Sequence, residues 1–188
     1  MSNRILTDRW TYSRYRTLED EHRYEVVDGE LTMVPAPDVT HQKISKYLGV
    51  LLFDRVERTG RGEIFYAPTD VVLSQDTVCQ PDLLMVLSSN QEIVKEKAIM
   101  GAPDLVVEIV SPASVYTDTQ RKISLYEKYG IKEYWLVYPQ EKVIDIYTFK
   151  EGRYRISSHA EHKEKIHSTL LNEDFPLEQI FHFNPVGG

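Results

Sequence analysis

Gly101-Ala102-Pro103-Asp104-Leu105-Val106-Val107-Glu108-Ile109-Val110-Ser111-Pro112 is the stretch on which the fold of this chain turns. From Leu105 to Val110 the run is apolar at every position but one, and its length and β-branched content are those of a strand. A strand apolar on both faces is normally buried on both faces. The exception, Glu108, is therefore a carboxylate in apolar surroundings, which is costly unless it is paired, protonated or bound to a metal.

Elements that could cover such a strand lie on either side of it. Upstream, Tyr24-Glu25-Val26-Val27 and Glu30-Leu31-Thr32-Met33-Val34 flank Asp28-Gly29, the signature of a hairpin with a tight turn. After Pro35 and Pro37, Thr40 is placed to cap a helix with Ile44, Leu48, Leu51 and Arg55 at helical spacing, stopped by Gly60 and Gly62. Short strands are expected over 63–66 and 70–73, and a further one over 81–87. Downstream, a helix from about 117 to 129 is closed by Gly130. A strand over 133–138 and a hairpin of 143–149 and 154–157 follow. The next segment holds His159, His162 and His167 and reads as a solvated loop or hairpin, not a metal site. A short amphipathic piece, 175–181, follows it. Strands alternating with helices predict an α/β fold, a mixed sheet with helices packed against it. With no linker or repeat, one domain over 1–188 is expected, with its core at about 20–150.

Composition narrows the function classes. The 188 residues carry a formal net charge of -7, which argues against a broad basic face that coats nucleic acid. It leaves room for a local site in which a metal supplies positive charge. No apolar run approaches the roughly 20 residues of a membrane span, and residues 1–15 lack an apolar signal core. The single Cys79 has no internal disulfide partner, so a reducing cytoplasm is the expected location.

Glu108 has possible companions. Asp82, after Pro81, opens another apolar run, and Asp104, after Pro103, opens the run that contains Glu108. Alternation sets Asp104 and Glu108 on one face, but four residues of strand span roughly 13 Å, too far to share a cation. Asp104 is thus expected to cap or turn the chain. Asp82 can lie within about 5 Å of Glu108 if their strands are neighbours, the reach of two oxygen ligands on one ion. Two carboxylates with the Ile109 carbonyl and waters would make a hard oxygen site suited to Mg²⁺ or Mn²⁺. The lysine that such chemistry uses is absent two residues past the glutamate, where Val110 stands. Asp118, Lys122 and Tyr126 share a helix face, so Lys122 can reach back toward Glu108 or lie in solvent; spacing alone leaves both open.

The segment 101–112 is followed by Asp118, Lys122, Tyr126 and Gly130-Ile131-Lys132-Glu133-Tyr134-Trp135-Leu136-Val137. It is preceded by Tyr24-Glu25-Val26-Val27-Asp28-Gly29-Glu30-Leu31, His41 and Gln80-Pro81-Asp82. In combination these motifs resemble the Uma-type endonucleases, a bacterial family abundant in cyanobacteria and placed in the PD-(D/E)XK, restriction-endonuclease-like superfamily. The resemblance implies that fold, with an N-terminal hairpin and a C-terminal β extension. It implies that Asp82 and Glu108 bind the metal and that Lys122, from the following helix, replaces the missing lysine. It brings in His41 or Glu25 as an additional site residue. The implied activity is Mg²⁺-dependent hydrolysis of phosphodiester bonds in nucleic acid, most simply DNA, with a homodimer as the expected assembly. The competing expectation is a nuclease-like module that binds or regulates without catalysis.

Overall fold

The computed structural model describes residues 9–19, 21–112 and 114–182. Most of the N-terminal stretch 1–15, its first eight residues, lies outside that range. Strands β1 (Arg23–Val27) and β2 (Glu30–Val34) form the expected hairpin. Both turn residues take left-handed backbone, Asp28 at φ 48° and Gly29 at φ 83°. That is the turn whose twist matches paired strands, and it explains an Asp-Gly pair there.

The hairpin is not part of the main sheet. It joins two short strands, β4 (Val71–Ser74) and β5 (Thr77–Cys79), in a four-stranded antiparallel sheet ordered β2-β1-β5-β4. The three-residue β5 was not expected, being too short to carry a period. The main sheet has six strands, ordered β10-β9-β8-β7-β6-β3. They are β3 (Gly62–Tyr66), β6 (Leu83–Leu87), β7 (Leu105–Ile109), β8 (Glu133–Tyr138), β9 (Val143–Lys150) and β10 (Arg153–Glu161). Only β7 and β8 run parallel; the other neighbours are antiparallel. The sheet is therefore mixed, and all five residues of β7 are buried.

A four-residue turn, α1 (Tyr12–Tyr15), precedes the hairpin, and α2 (Val39–Arg55) covers one sheet face. Its Ile44, Leu48 and Leu52 are fully buried against Leu83, Met85, Leu105, Val107 and Trp135. Each such side chain contributes roughly 1.5–3 kcal/mol. The cap of α2 is Asp38, not Thr40: the Asp38 carboxylate accepts the His41 backbone N–H at 2.8 Å. The helix ends at Arg55, before either glycine. Gly62 instead opens β3, where a Cβ would meet the Val86 carbonyl oxygen at 2.3 Å.

The opposite face is covered by the segment expected as one helix. Its first half, Thr117–Lys122, is a π-helical turn, and α3 (Ile123–Lys128) continues from it. Leu125 and Tyr126 pack there with Leu84, Val86, Val106, Tyr134 and Leu136. The C-terminal region is more ordered than expected. β10 runs on to Glu161, and β11 (Lys165–Ser168) pairs with β12 (Glu173–Pro176) before the short α4 (Leu177–Ile180). Leu177, Ile180 and Phe181 are buried in the α2 cluster, so these apolar side chains are covered by their own chain. No helix among the described residues is long and apolar enough to cross a membrane.

Candidate active site

The antiparallel register of β6 and β7 brings the two carboxylates together. Leu83 pairs with Val107 and Leu84 with Val106, and Asp82 and Glu108 are the next residues beyond the last pair. Both line one cavity. Asp82 sits one residue ahead of β6, at the end where β7 leaves the sheet. Its Oδ2 accepts the Ile109 backbone N–H at 2.8 Å and lies 3.0 Å from His41 Nε2. Since Oδ2 can only accept, Nε2 carries the proton, and Nδ1 of the same ring is buried without a partner among the described residues. Because the Asp38 cap fixes the backbone of His41, the first turn of α2 and the start of β6 are held in one arrangement.

Glu108 is held from the other side of the site. Lys122 Nζ donates to its Oε1 at 2.8 Å and Tyr126 Oη donates to the same oxygen at 2.7 Å. Lys122 is buried, and its ammonium also lies 3.2 Å from Glu25 Oε1 and 3.8 Å from Asp118 Oδ1. Glu25, from β1, accepts the Gln80 backbone N–H at 2.8 Å and so ties the hairpin sheet to the residues just ahead of Asp82. Burial alone would strip the proton from Lys122; the Glu108, Glu25 and Asp118 carboxylates outweigh it and keep the group an ammonium. Burial pushes the Glu108 carboxyl well up. Lys122 opposes that, and the charges of Asp118, Asp82 and Glu25 add to it. Asp118 is raised by burial as well, against the pull of Lys122.

The residues singled out from sequence thus divide cleanly. Asp82, Glu108, Lys122, His41, Glu25 and Ile109 converge on one place. Asp104 does not: its oxygens accept from Lys132 Nζ at 2.6 Å, Leu87 N at 2.8 Å and Asn90 Nδ2 at 3.1 Å, at the far end of β7. His159 and His167 each face a single carboxylate, Asp145 and Asp174. Tyr126 was visible only as a helix-face neighbour of Lys122, and its bond to Glu108 adds a contact that spacing did not assign. Gln80, whose backbone meets Glu25, left no signal in the sequence beyond its place before Pro81-Asp82.

Asp82, Glu108, Ile109 and Lys122 line a cavity of about 870 Å³ whose walls include Pro35, Pro37, Ser111, Val115 and Pro139. Asp82 Oδ1 and Glu108 Oε2 have no hydrogen-bond partner among the described residues. Carboxylate oxygens of this kind fit a hard divalent cation. Among the described residues no three His, Cys, Asp or Glu side chains are grouped to hold a metal by themselves. A cation here would complete its shell with backbone oxygen and water, as Mg²⁺ commonly does.

Residues 11–178 match the Uma2 family, described as "putative restriction endonuclease". A crystal structure described as "a putative nuclease belonging to DUF820 from Anabaena variabilis ATCC 29413" aligns with a TM-score of 0.76 and 19% identity. The alignment covers 92% of this chain and 97% of that one. At that identity the likeness establishes a shared fold. The curated proteins contain no match to the chain. The sheet order, the two carboxylates at the cavity and a family match over nearly the whole described region agree: the chain belongs to the Uma2 family of restriction-endonuclease type.

Proposed function

We propose that the chain is a divalent-metal-dependent endonuclease that hydrolyses phosphodiester bonds in DNA. The observation that carries this reading is that Asp82 and Glu108, from neighbouring strands, line one cavity with the Lys122 ammonium 2.8 Å from Glu108. The Lys122 ammonium, carried by the π-helical turn, supports the reading that this residue takes the part of the lysine absent at position 110.

In this reading Asp82, Glu108 and the Ile109 carbonyl hold Mg²⁺ or Mn²⁺. The bound ion supplies Lewis-acid polarisation of a phosphoryl oxygen and an acidified water. The Ile109 N–H and His41 fix the rotamer of Asp82, and Tyr126 fixes that of Glu108, so each carboxylate presents its other oxygen to the cavity. Lys122 brings a fixed positive charge to where negative charge builds in the transition state, and Glu25 holds that ammonium in place. Double-strand cutting would pair two copies about a two-fold axis, each supplying one site.

Purified protein incubated with supercoiled plasmid and Mg²⁺ or Mn²⁺ is expected to nick it, and chelation or Asp82→Asn should abolish the cut. Plasmid left intact with either metal across a range of salt would sink the proposal. The alternative, a nuclease-like module without catalysis, then gains if the metal also fails to raise the unfolding temperature, as a working metal site would by mass action.

A further inference from the structure

The geometry points to Arg23 as the residue that grips a phosphate of the substrate strand, next to the phosphate that is cut. The proposal rests on the nuclease reading above and adds an anion-binding contact to it.

The cavity is poor in positive charge. Apart from His41, the cationic side chains that line it are Arg23 and Lys122. Lys122 is buried and held in place by Glu108, Glu25 and Asp118, so its charge serves the chemical centre and not a neighbouring phosphate. Arg23 is different. It is half-buried and makes no ion pair among the described residues. Its contacts are both to Gln80: Nε donates to the side-chain oxygen at 3.0 Å, and a terminal nitrogen reaches the backbone oxygen at 3.5 Å. A guanidinium carries five donors in a planar fork, so most remain available. In a chain with net charge -7, a charged fork left without a carboxylate at the rim of the site calls for an anion.

Its orientation is fixed. The Gln80 amide nitrogen lies 2.9 Å from Asp70 Oδ1 and 3.1 Å from Tyr15 Oη. Asp70 can only accept, so the amide nitrogen must face it and the amide oxygen must face Arg23. The guanidinium is thus held at one edge and free at the other, which lowers the entropy lost when it grips a ligand. Arg23 and Glu25 project from the same face of β1, two residues or roughly 6.6 Å apart. Glu25 marks the lysine at the chemical centre. Arg23 lies one step away, about the stride from one phosphate to the next along a single strand.

The test is fluorescence anisotropy of a labelled single-stranded oligonucleotide, with Ca²⁺ replacing Mg²⁺ so that binding is read without turnover. Arg23→Ala is expected to weaken binding at least about tenfold, the loss of one charge-assisted contact. It should also flatten the plot of log K against log salt by about 0.7, one phosphate neutralised on a single strand. Arg23→Lys should keep the salt slope while losing part of the affinity, because it retains the charge without the fork. A structural role alone would leave the salt slope unchanged. If Arg23→Ala does not fold, Arg23→Gln and Arg23→Lys make the same comparison. Arg23→Ala with wild-type affinity and slope overturns this inference alone and leaves the nuclease reading standing. Wild-type protein that neither binds the oligonucleotide nor nicks plasmid overturns both.

Discussion

Lys122 and Glu108 meet at 2.8 Å although they come from different elements, one from a π-helical turn and the other from the central strand. The wide turn buries Asp118 and Lys122 together, and Tyr126 joins them on the following α-helical turn. Local widening of this kind is often found at functional sites. Here it sets an ammonium among three carboxylates, and the removal of either partner should have opposite effects on stability.

Lys122→Met leaves Glu108, Glu25 and Asp118 buried without their counter-charge. Metal-free protein is expected to lose about 3–5 kcal/mol of stability, the usual result of breaking a buried pair from one side. Chemical denaturation of the two proteins measures it; a change under about 1 kcal/mol would contradict the arrangement.

Glu108→Gln keeps the shape and a hydrogen-bond acceptor but removes one negative charge from a crowded group. Metal-free stability is expected to hold or rise, since burial and the Asp118, Asp82 and Glu25 charges oppose the Glu108 charge against the pull of Lys122, and Glu25 and Asp118 remain to balance that ammonium. Nicking should fall by about a hundredfold or more, because the carboxylate that would hold the metal is gone. Parallel unfolding and plasmid assays separate the two effects.

The site was legible in the sequence where chemistry and strand pattern coincide. Glu108 announced itself as a charge in an apolar strand, and Asp82 as a charge at the start of another. Their register was not legible, because pairing between β6 and β7 depends on the intervening chain of Ser88 to Asp104. The meeting of Glu25 with Lys122 is tertiary and has no local signal. Asp38 and Thr40 are both good caps, and the choice fell to the residue whose carboxylate reaches the N–H three positions on. The π-helical turn kept the same face as an α-helix at 118, 122 and 126, so periodicity could not reveal it.

His41→Ala removes the donor on Asp82 Oδ2 while the Ile109 N–H remains. Supporting contacts of this kind typically carry 10–100-fold in metal affinity or activity. Titration calorimetry with Mn²⁺ should show weaker binding, with the fold intact by circular dichroism. Unchanged Mn²⁺ affinity would remove His41 from the supporting set.

His159 supplies a pH signature away from the site. Its hydrogen bond to Asp145 raises its pKa above the ordinary 6.5. A raised histidine stabilises fully below the unfolded value and loses that contribution as pH rises through the folded one. His159→Gln should therefore lower stability at pH about 5.5, by under about 1 kcal/mol since the pair is exposed, and have no effect at about 9. Thermal melts at the two pH values check the sign.

Glu133→Ala tests the scaffold. This fully buried carboxylate accepts from Trp135 Nε1 at 2.9 Å, Ser168 Oγ at 2.8 Å and Leu170 N at 2.7 Å, pinning the start of β8 to the C-terminal strands. Its loss strands three donors and should cost about 3 kcal/mol or more. Denaturation midpoints give the cost, and nicking per folded molecule should stay near wild type.

The placement of α4 reaches further than its four residues suggest. Leu177, Ile180 and Phe181 share a cluster with Ile44, Leu48 and Leu52, and the His182 ring lies 4.1 Å from that of Tyr47. The footing of the helix that delivers His41 is thus laid by chain made more than a hundred residues later. During synthesis α2 can settle on the sheet first, but its packing is completed only when residues 177–181 have been made. Proteolytic trimming near Pro176 would undo the same step in the finished molecule and loosen the histidine from a distance.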